Sequence, residues 1–519
     1  MEPYNEDLLW IVIVGFIIAF VLAFGIGAND VANSFGTSVG SKVLSLKQAC
    51  IIASIFEVAG AVLIGARVSD TVRKGIIDIT SFNDTKPLAM VGSFSALGGT
   101  SIWLLVASFL RLPISGTHSV VGATIGYALV EHGMNGVHWK KFGLIAASWV
   151  ISPLMSGIVS SVIFVLIRAF ILNKANSFQA GLKFLPFIYA VTVSINLFSI
   201  FYKGSHLLKF NEIPFYGVMI LTFGGGILFG ILVKAFVVPW LERKVQEDCC
   251  ESVEEMVKYS PTSQEPKSIE TQLSKVDPDK YETVVNFNDS DGVIQLLPNK
   301  VPSEKVANED VEGSVPTWKQ QIKDYILGSK RPEEISKKDA MKIAREMIAD
   351  DPKSVRLFSF LQVLTASFGA FAHGGNDVSN AIGPLVSIWI IYQTGDIVTK
   401  VQTPIWILVY GGVGIVIGLW VWGRRVIKTM GEDLTPITPS SGFAIEIGSA
   451  VTVLLASNLG IPISTTHCKV GSVVMVGQVR SREVVDWGLF RNIIISWIVT
   501  IPVSGGLAAA MYAGFRELF

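Results

Sequence analysis

The chain predicts an all-α integral membrane protein of about 12 transmembrane segments, built as two inverted repeats with short hairpin half-helices and a mostly disordered cytoplasmic loop. Three observations carry that fold class. Half of the 519 residues are hydrophobic and only 16% are charged, where a soluble domain carries about a quarter charged residues; the mean hydropathy is +0.51. Ten apolar runs reach or approach the ~20 residues that a membrane-crossing helix needs. Three sequence blocks recur in the same order, 347, 349 and 348 residues apart.

The runs lie near residues 9–28, 49–66, 88–110, 142–172, 184–202, 216–240, 356–372, 404–422, 442–459 and 489–515. Two shorter apolar pieces follow Pro113 and Pro462 and make up the remaining segments. The first run is a retained span, because the acidic residues before it lack the basic stretch of a cleaved signal. Between Glu242 and Lys353 the chain turns rich in Glu, Asp, Lys, Ser and Pro, which reads as a disordered loop. One amphipathic helix is expected at 333–351. The resulting organisation is a first repeat over 9–172, connecting helices over 173–241, the central loop over 242–355 and a second repeat over 356–519.

Charge sets the orientation. Lys42 and Lys47 flank the far end of the first span and Glu2, Glu6 and Asp7 its near end, so the N-terminus is outside. Arg424, Arg425 and Lys428 then fall inside, with the central loop cytoplasmic and the C-terminus extracellular. Asn83, in an Asn-x-Thr sequon, is a glycosylation candidate in an outside loop, whereas the sequon at Asn288 falls on the cytoplasmic side. The net charge is zero, so no basic field points to nucleic acid. Four cysteines (Cys50, Cys249, Cys250 and Cys468) are too few for a disulfide framework; reduced thiols are expected, with palmitoylation open at Cys249 and Cys250.

Gly27-Ala28-Asn29-Asp30-Val31-Ala32-Asn33 recurs as Gly374-Gly375-Asn376-Asp377-Val378-Ser379-Asn380. A carboxylate at membrane depth costs about 2.5–3.5 kcal/mol on insertion scales, so Asp30 and Asp377 must be paired or ligate something. With the amides of Asn29, Asn33, Asn376 and Asn380 they form oxygen-rich clusters that suit a hard cation such as sodium. The glycines are expected to loosen the helix there and free backbone groups to line a cavity. The alternative is a polar clamp between helices.

Pro113-Ile114-Ser115-Gly116-Thr117-His118 recurs as Pro462-Ile463-Ser464-Thr465-Thr466-His467. Proline in the first turn followed by free amides describes a helix N-terminus, which attracts anions. Ser115, Thr117, Ser464, Thr465 and Thr466 add hydroxyl donors, and two such ends meeting at midplane would enclose a tetrahedral oxyanion. The alternative is ordinary N-capping of two half-helices. His118 and His467 read as hydrogen-bonding supports, since no partner with metal-ligand spacing stands nearby. Glu57 and Glu446 are lone carboxylates in apolar runs, candidates to couple an ion or proton; Glu446 falls opposite Leu97 in the repeat. Lys469 stands where the first copy has Val120; it places a charge near the anion or snorkels to the surface.

On these blocks the chain resembles the inorganic phosphate transporter (PiT) family, whose signature is the duplicated Gly-x-Asn-Asp-x-x-Asn block. The stretch 423–443, GRRVIKTMGEDLTPITPSSGF, is similar to animal members as well, while the central loop is shorter than in vertebrate relatives. The resemblance implies a sodium–phosphate symporter of the plasma membrane, with the two Asn-Asp blocks and the two Ser/Thr hairpins forming the substrate and sodium sites, and a homodimer. Ser115, Gly116, Thr117, Ser464, Thr465 and Thr466 would hold phosphate, while Asn29, Asp30, Asn33, Asn376, Asp377 and Asn380 would hold co-transported sodium, with no other cofactor. Proton coupling through Glu57 or Glu446 stays open as an alternative. Enzyme chemistry is not indicated: the chain carries no nucleophile–base pair, metal cluster or nucleotide loop motif.

Overall fold

The computed structural model describes residues 6–30, 32–74, 76–77, 79–82, 85–110, 112–202, 210–245, 281–285, 294–298, 350–397, 403–423, 434–461, 463–480 and 485–519. Asn83, Asn288, Cys249, Cys250, the arginines and lysine after residue 423, and the amphipathic stretch up to residue 349 lie outside the described residues. So does most of the central loop, and its expected disorder with it.

The chain divides into one unit of residues 1–243 and 336–519 and a second of 244–335. In the second unit, β1 (Tyr281–Val285) pairs antiparallel with β2 (Ile294–Pro298), Tyr281 opposite Pro298. That hairpin was not expected from a segment read as loop. Tyr, Thr, Val and Ile in short runs have the β-branched and aromatic character that favours strands, a local signal hidden by the polar average of the segment.

Among the described residues, the membrane unit holds ten helices long and apolar enough to cross a bilayer, each overlapping one expected run. In order, the helices are α1 (Leu9–Asp30), α2 (Ala32–Gly40), α3 (Leu46–Lys74), α4 (Lys86–Phe109), α5 (Gly116–His132) and α6 (Trp139–Ile167). The connecting pair is α7 (Ser177–Phe201) and α8 (Phe215–Leu232). The second half comprises α9 (Pro352–Thr394), α10 (Ile405–Trp422), α11 (Pro439–Leu459), α12 (Thr465–Arg480) and α13 (Trp487–Phe515). Burial ranks them. The α4 window is 78% buried, that of the span containing α8 only 22%, so α4 is central and α8 turns its Ile, Leu and Phe side chains outward.

The pieces after Pro113 and Pro462 are α5 and α12, of 17 and 16 residues. Each returns to the side its predecessor left. Ile77 and Val137 form a β-bridge, and His138 N–H donates to the Ile76 carbonyl, tying the start of α6 to the end of α3. Arg480, at the end of α12, donates to Thr438 and Ser441 at the start of α11. Hence α4–α5 and α11–α12 are hairpins. The helices begin at Gly116 and Thr465, so Pro113 stands in the extended approach before the N-cap and not in the first turn.

The two halves exchange elements. Helix α6 packs on α12 and α11, while α13 packs on α5 and α4; α3 packs on α9, and α10 on α1. Each contact has its counterpart in the other half, so the repeat is a property of the packing too.

The expected loosening at the second Asn-Asp block does not occur, because α9 is one continuous helix through Gly374 and Asn380. The glycines serve close approach instead. A Cβ on Gly374 would stand 2.1 Å from the Glu57 carbonyl oxygen of α3, and one on Gly27 would stand 1.9 Å from the Ile415 carbonyl oxygen of α10. In the first half, α1 ends at Asp30 and α2 begins at Ala32.

Candidate functional site

The twelve residues expected to hold cation and anion gather in one buried cluster where the two hairpin tips meet α1, α2 and α9. Ser115 Oγ caps α5 by accepting from His118 N–H at 3.2 Å, and Ser464 Oγ accepts from His467 N–H at 3.1 Å. Capping is therefore one role these serines fill. The tips interlock: Thr117 Oγ1 donates to the Ile463 carbonyl at 3.1 Å, and Thr466 Oγ1 lies 3.2 Å from the Ile114 carbonyl.

The Asn-Asp blocks cross over in the same way. Asn33 Nδ2 donates to Thr466 Oγ1 of the opposite hairpin at 2.9 Å, and Asn380 Nδ2 to Thr117 Oγ1 at 2.9 Å. Asp30 Oδ1 accepts from Thr466 at 2.8 Å and from Asn33 at 3.3 Å. Asp377 accepts from Asn380 at 2.7 Å on Oδ1 and from Thr465 at 2.8 Å on Oδ2. Asn29 and Asn376 are turned to hairpin backbone: Asn29 donates to the Leu112 carbonyl and accepts from Ile114 N–H, and Asn376 donates to the Ile463 carbonyl.

After these bonds, four buried oxygens have no hydrogen-bond partner: Asp30 Oδ2, Asn33 Oδ1, Asn376 Oδ1 and Asn380 Oδ1. Leaving such an acceptor unmatched costs about 1–3 kcal/mol. Asp30, His373 and Asp377 also bring ligand atoms within 4.8 Å of one another. Two carboxylates that close repel by about 3 kcal/mol at an effective dielectric of ~20. Unmatched oxygens and crowded carboxylates together are what a small hard cation relieves.

His373 was not picked out from the sequence. Its Nδ1 lies 2.8 Å from Glu57 Oε2 and its Nε2 3.4 Å from Asp377 Oδ2, so it joins α3 to the second block. The signal was available, because the first copy has Ile26 at the equivalent place. Glu446 is held by Lys469 at 2.6 Å and by Thr37 of α2. Lys469 is buried, so it neither snorkels nor faces lipid; an ammonium in that setting takes the nearest carboxylate. Thr37 too was missed, as one hydroxyl among several in its segment.

Of the two hairpin histidines, His467 makes the expected supporting hydrogen bond, whereas neither ring nitrogen of His118 has a side-chain partner among the described residues and that ring packs on Trp149 and His467. Pro153 cannot donate to the Trp149 carbonyl four residues back, and His467 Nδ1 bonds that carbonyl at 3.0 Å. The His467 ring stacks on Trp497 at 3.6 Å and meets His118 at 4.3 Å. Beside the cluster lies a cavity of about 20 Å3, bordered by Asn33, His373, Thr465 and Lys469. It has room for about one water, so a tetrahedral oxyanion requires the hairpin tips to part. A larger apolar cleft of about 800 Å3 opens between parts of α6 and α11 and reaches Ile463 from the side.

Comparison with known proteins follows the same lines. The profile of the phosphate transporter family matches residues 26–508. The chain is 43% identical to the sodium-dependent phosphate transporter 1 of Pongo abelii, covering 98% of this chain and 96% of that protein. It is 44% identical to sodium-dependent phosphate transporter 1-A of Danio rerio, over 98% and 95% of the two chains. The first alignment runs over 654 positions against 519 residues here, so that relative carries additional sequence. A solved structure titled the sodium-dependent phosphate transporter superposes with a TM-score of 0.71 at 31% identity, covering 98% of this chain and all of the other.

Proposed function

The chain belongs to the phosphate transporter family, and from that premise we propose that it is a sodium-coupled symporter importing inorganic phosphate across the plasma membrane. It is a transporter and not an enzyme. The observation that carries the mechanism is the convergence of both Asn-Asp blocks and both hairpin starts on one buried cluster with four unmatched oxygens. Sodium ions take the places bounded by Asp30 with Asn33 and by Asp377 with Asn376 and Asn380. Phosphate takes the hydroxyls and amides at Ser115–Thr117 and Ser464–Thr466, once the tips separate. Sodium then neutralises an anion whose passage through a low-dielectric interior would otherwise be prohibitive.

Asn29 positions the first hairpin within this scheme. Glu57 and Glu446 act through His373 and Lys469, their oxygens being engaged already. Five spans, α1, α3 and α6 of the first repeat and the connecting α7 and α8, precede α9, with the α4–α5 hairpin returning to the side it left. That odd number supports inverted repeats over 9–172 and 356–519, extracellular termini and a cytoplasmic segment over 242–355. A homodimer is the expected assembly.

The test is radiolabelled phosphate uptake into proteoliposomes under an inward sodium gradient, with an equal choline gradient as control. Concentrative uptake with sodium alone is the expected result. Equal uptake in both would defeat sodium coupling, and an imposed pH gradient would then reveal a proton-driven alternative.

A further inference from the structure

Besides His373 and Ile26, the two halves differ at a second pair of equivalent residues beside the cation sites. Gly116 opens α5 where Thr465 opens α12, 349 positions later. Thr465 donates its hydroxyl to Asp377 Oδ2 at 2.8 Å, and Asn380 occupies Oδ1. Both oxygens of Asp377 are thus engaged, and His373 Nε2 stands 3.4 Å from Oδ2 as well, so among the described residues Thr465 holds the only hydroxyl proton on that oxygen. At Gly116 no hydroxyl exists, and only the backbone N–H there faces the Asp30 carboxylate; a Cβ would lie 3.2 Å from Asp30 Oδ2, which receives no side-chain hydrogen bond. Asn33 Oδ1, in the same half, is likewise buried and unmatched.

We infer that this difference makes the two sodium sites unequal: the Asp30 site is open to sodium before phosphate arrives, and Thr465 keeps the Asp377 site closed until phosphate draws its hydroxyl away. The inference rests on the reading of the Asn-Asp blocks as sodium sites. A threonine hydroxyl has one proton. While that proton is directed at Asp377 Oδ2, a cation approaching the same oxygen meets a positively polarised hydrogen. Thr465 is also the hairpin residue beside the small cavity shared with Asn33, His373 and Lys469, where an incoming oxyanion would first displace contacts. Turning the hydroxyl to a phosphate oxygen frees Asp377 Oδ2 at that moment. Phosphate binding is thereby coupled to the second sodium, and by linkage the coupling factor is the same in both directions. Gly116 lets the first sodium bind without that condition. Thr465 is accordingly a positioning residue for the ion as well as a donor to the anion.

The test measures equilibrium binding of radioactive sodium to the purified full-length protein in nanodiscs, with and without inorganic phosphate. In the unaltered protein, phosphate tightens part of the sodium binding by a factor within the roughly 5–150-fold range of coupled sites. Thr465→Val removes the hydroxyl and keeps the shape; sodium binding without phosphate should strengthen about tenfold at the affected site and the coupling factor should fall correspondingly. Thr465→Ser should keep the coupling. Thr465→Val with the original coupling factor would overturn the inference. If Thr465→Val does not yield folded protein, Gly116→Ser decides. It supplies a donor to Asp30 Oδ2, and sodium binding without phosphate should weaken about tenfold; unchanged binding would overturn the inference. Asp30→Asn and Asp377→Asn separate the two levels: if both leave sodium binding intact, the ion-site reading itself fails, whatever residue 465 does.

Discussion

A buried charge keeps its meaning only with its partner in view. Lys469 and Glu446 are both fully enclosed and lie 2.6 Å apart, with Thr37 closing the other carboxylate oxygen. Removing one member of a buried pair typically costs about 3–5 kcal/mol, whereas removing both together costs far less. Lys469→Met should therefore lower the detergent melting midpoint and the folded yield more than the double change Lys469→Met with Glu446→Gln. A double variant as damaged as the single one would mean that the unpaired carboxylate is not what costs stability in Lys469→Met. The residues of the buried cluster were legible in the sequence because residue type and duplication coincide: an Asp in an apolar run is costly once, and twice it is a pattern. Pairings such as Glu57 with His373 were not legible. They join different helices 316 residues apart, and no local spacing encodes them. Only the mismatch of His373 with Ile26 hinted that the second block had an extra task.

At the scale of helices, ten spans and two short pieces could be read from apolar length alone, since length and hydropathy are what the bilayer selects. The purpose of the glycines could not, because their partners come from the other half of the chain. Read locally, Gly27 and Gly374 look like helix breakers; against α10 and α3 they are points of contact between backbones. Gly27→Ala and Gly374→Ala should each force a methyl against a carbonyl oxygen and destabilise the membrane unit by about 1–3 kcal/mol or more. Gly224→Ala, where no atom lies within 4 Å of the added carbon, is the control and should leave the melting midpoint within error. Equal behaviour of all three in thermal unfolding would show that the helices part without cost and that the close approach is not required. A smaller lesson comes from β1 and β2, where segment-wide polarity concealed two short strand-forming runs.

For the whole molecule, the exchange of elements decides what can move as a body. Two collinear repeats invite a picture of one half rocking against the other. Yet α6 of the first half is bound to the α12 hairpin of the second: Ser156 Oγ lies 2.6 Å from Ser472 Oγ, Ser160 donates to Ser472 at 2.9 Å, and Ser156 bonds the Cys468 carbonyl. The first hairpin is bound in the same way to α13, where Trp103 Nε1 of α4 donates to Thr500 at 3.0 Å. The bodies that separate to admit phosphate are then the exchanged groups, α11, α12 and α6 against α4, α5 and α13, with the tip contacts of Thr117 and Thr466 between them. Cysteines at 156 and 472, introduced by Ser156→Cys and Ser472→Cys into a chain lacking Cys50, Cys249, Cys250 and Cys468, test this. The Oγ atoms they replace lie 2.6 Å apart, so the sulfurs are within reach of the ~2.05 Å bond of a disulfide, which would lie inside one body. Sodium-driven phosphate uptake should survive oxidation and be unaffected by reductant. Uptake that stops on oxidation and returns on reduction would place the moving boundary between α6 and α12, and the halves would then move as the chain order first implied.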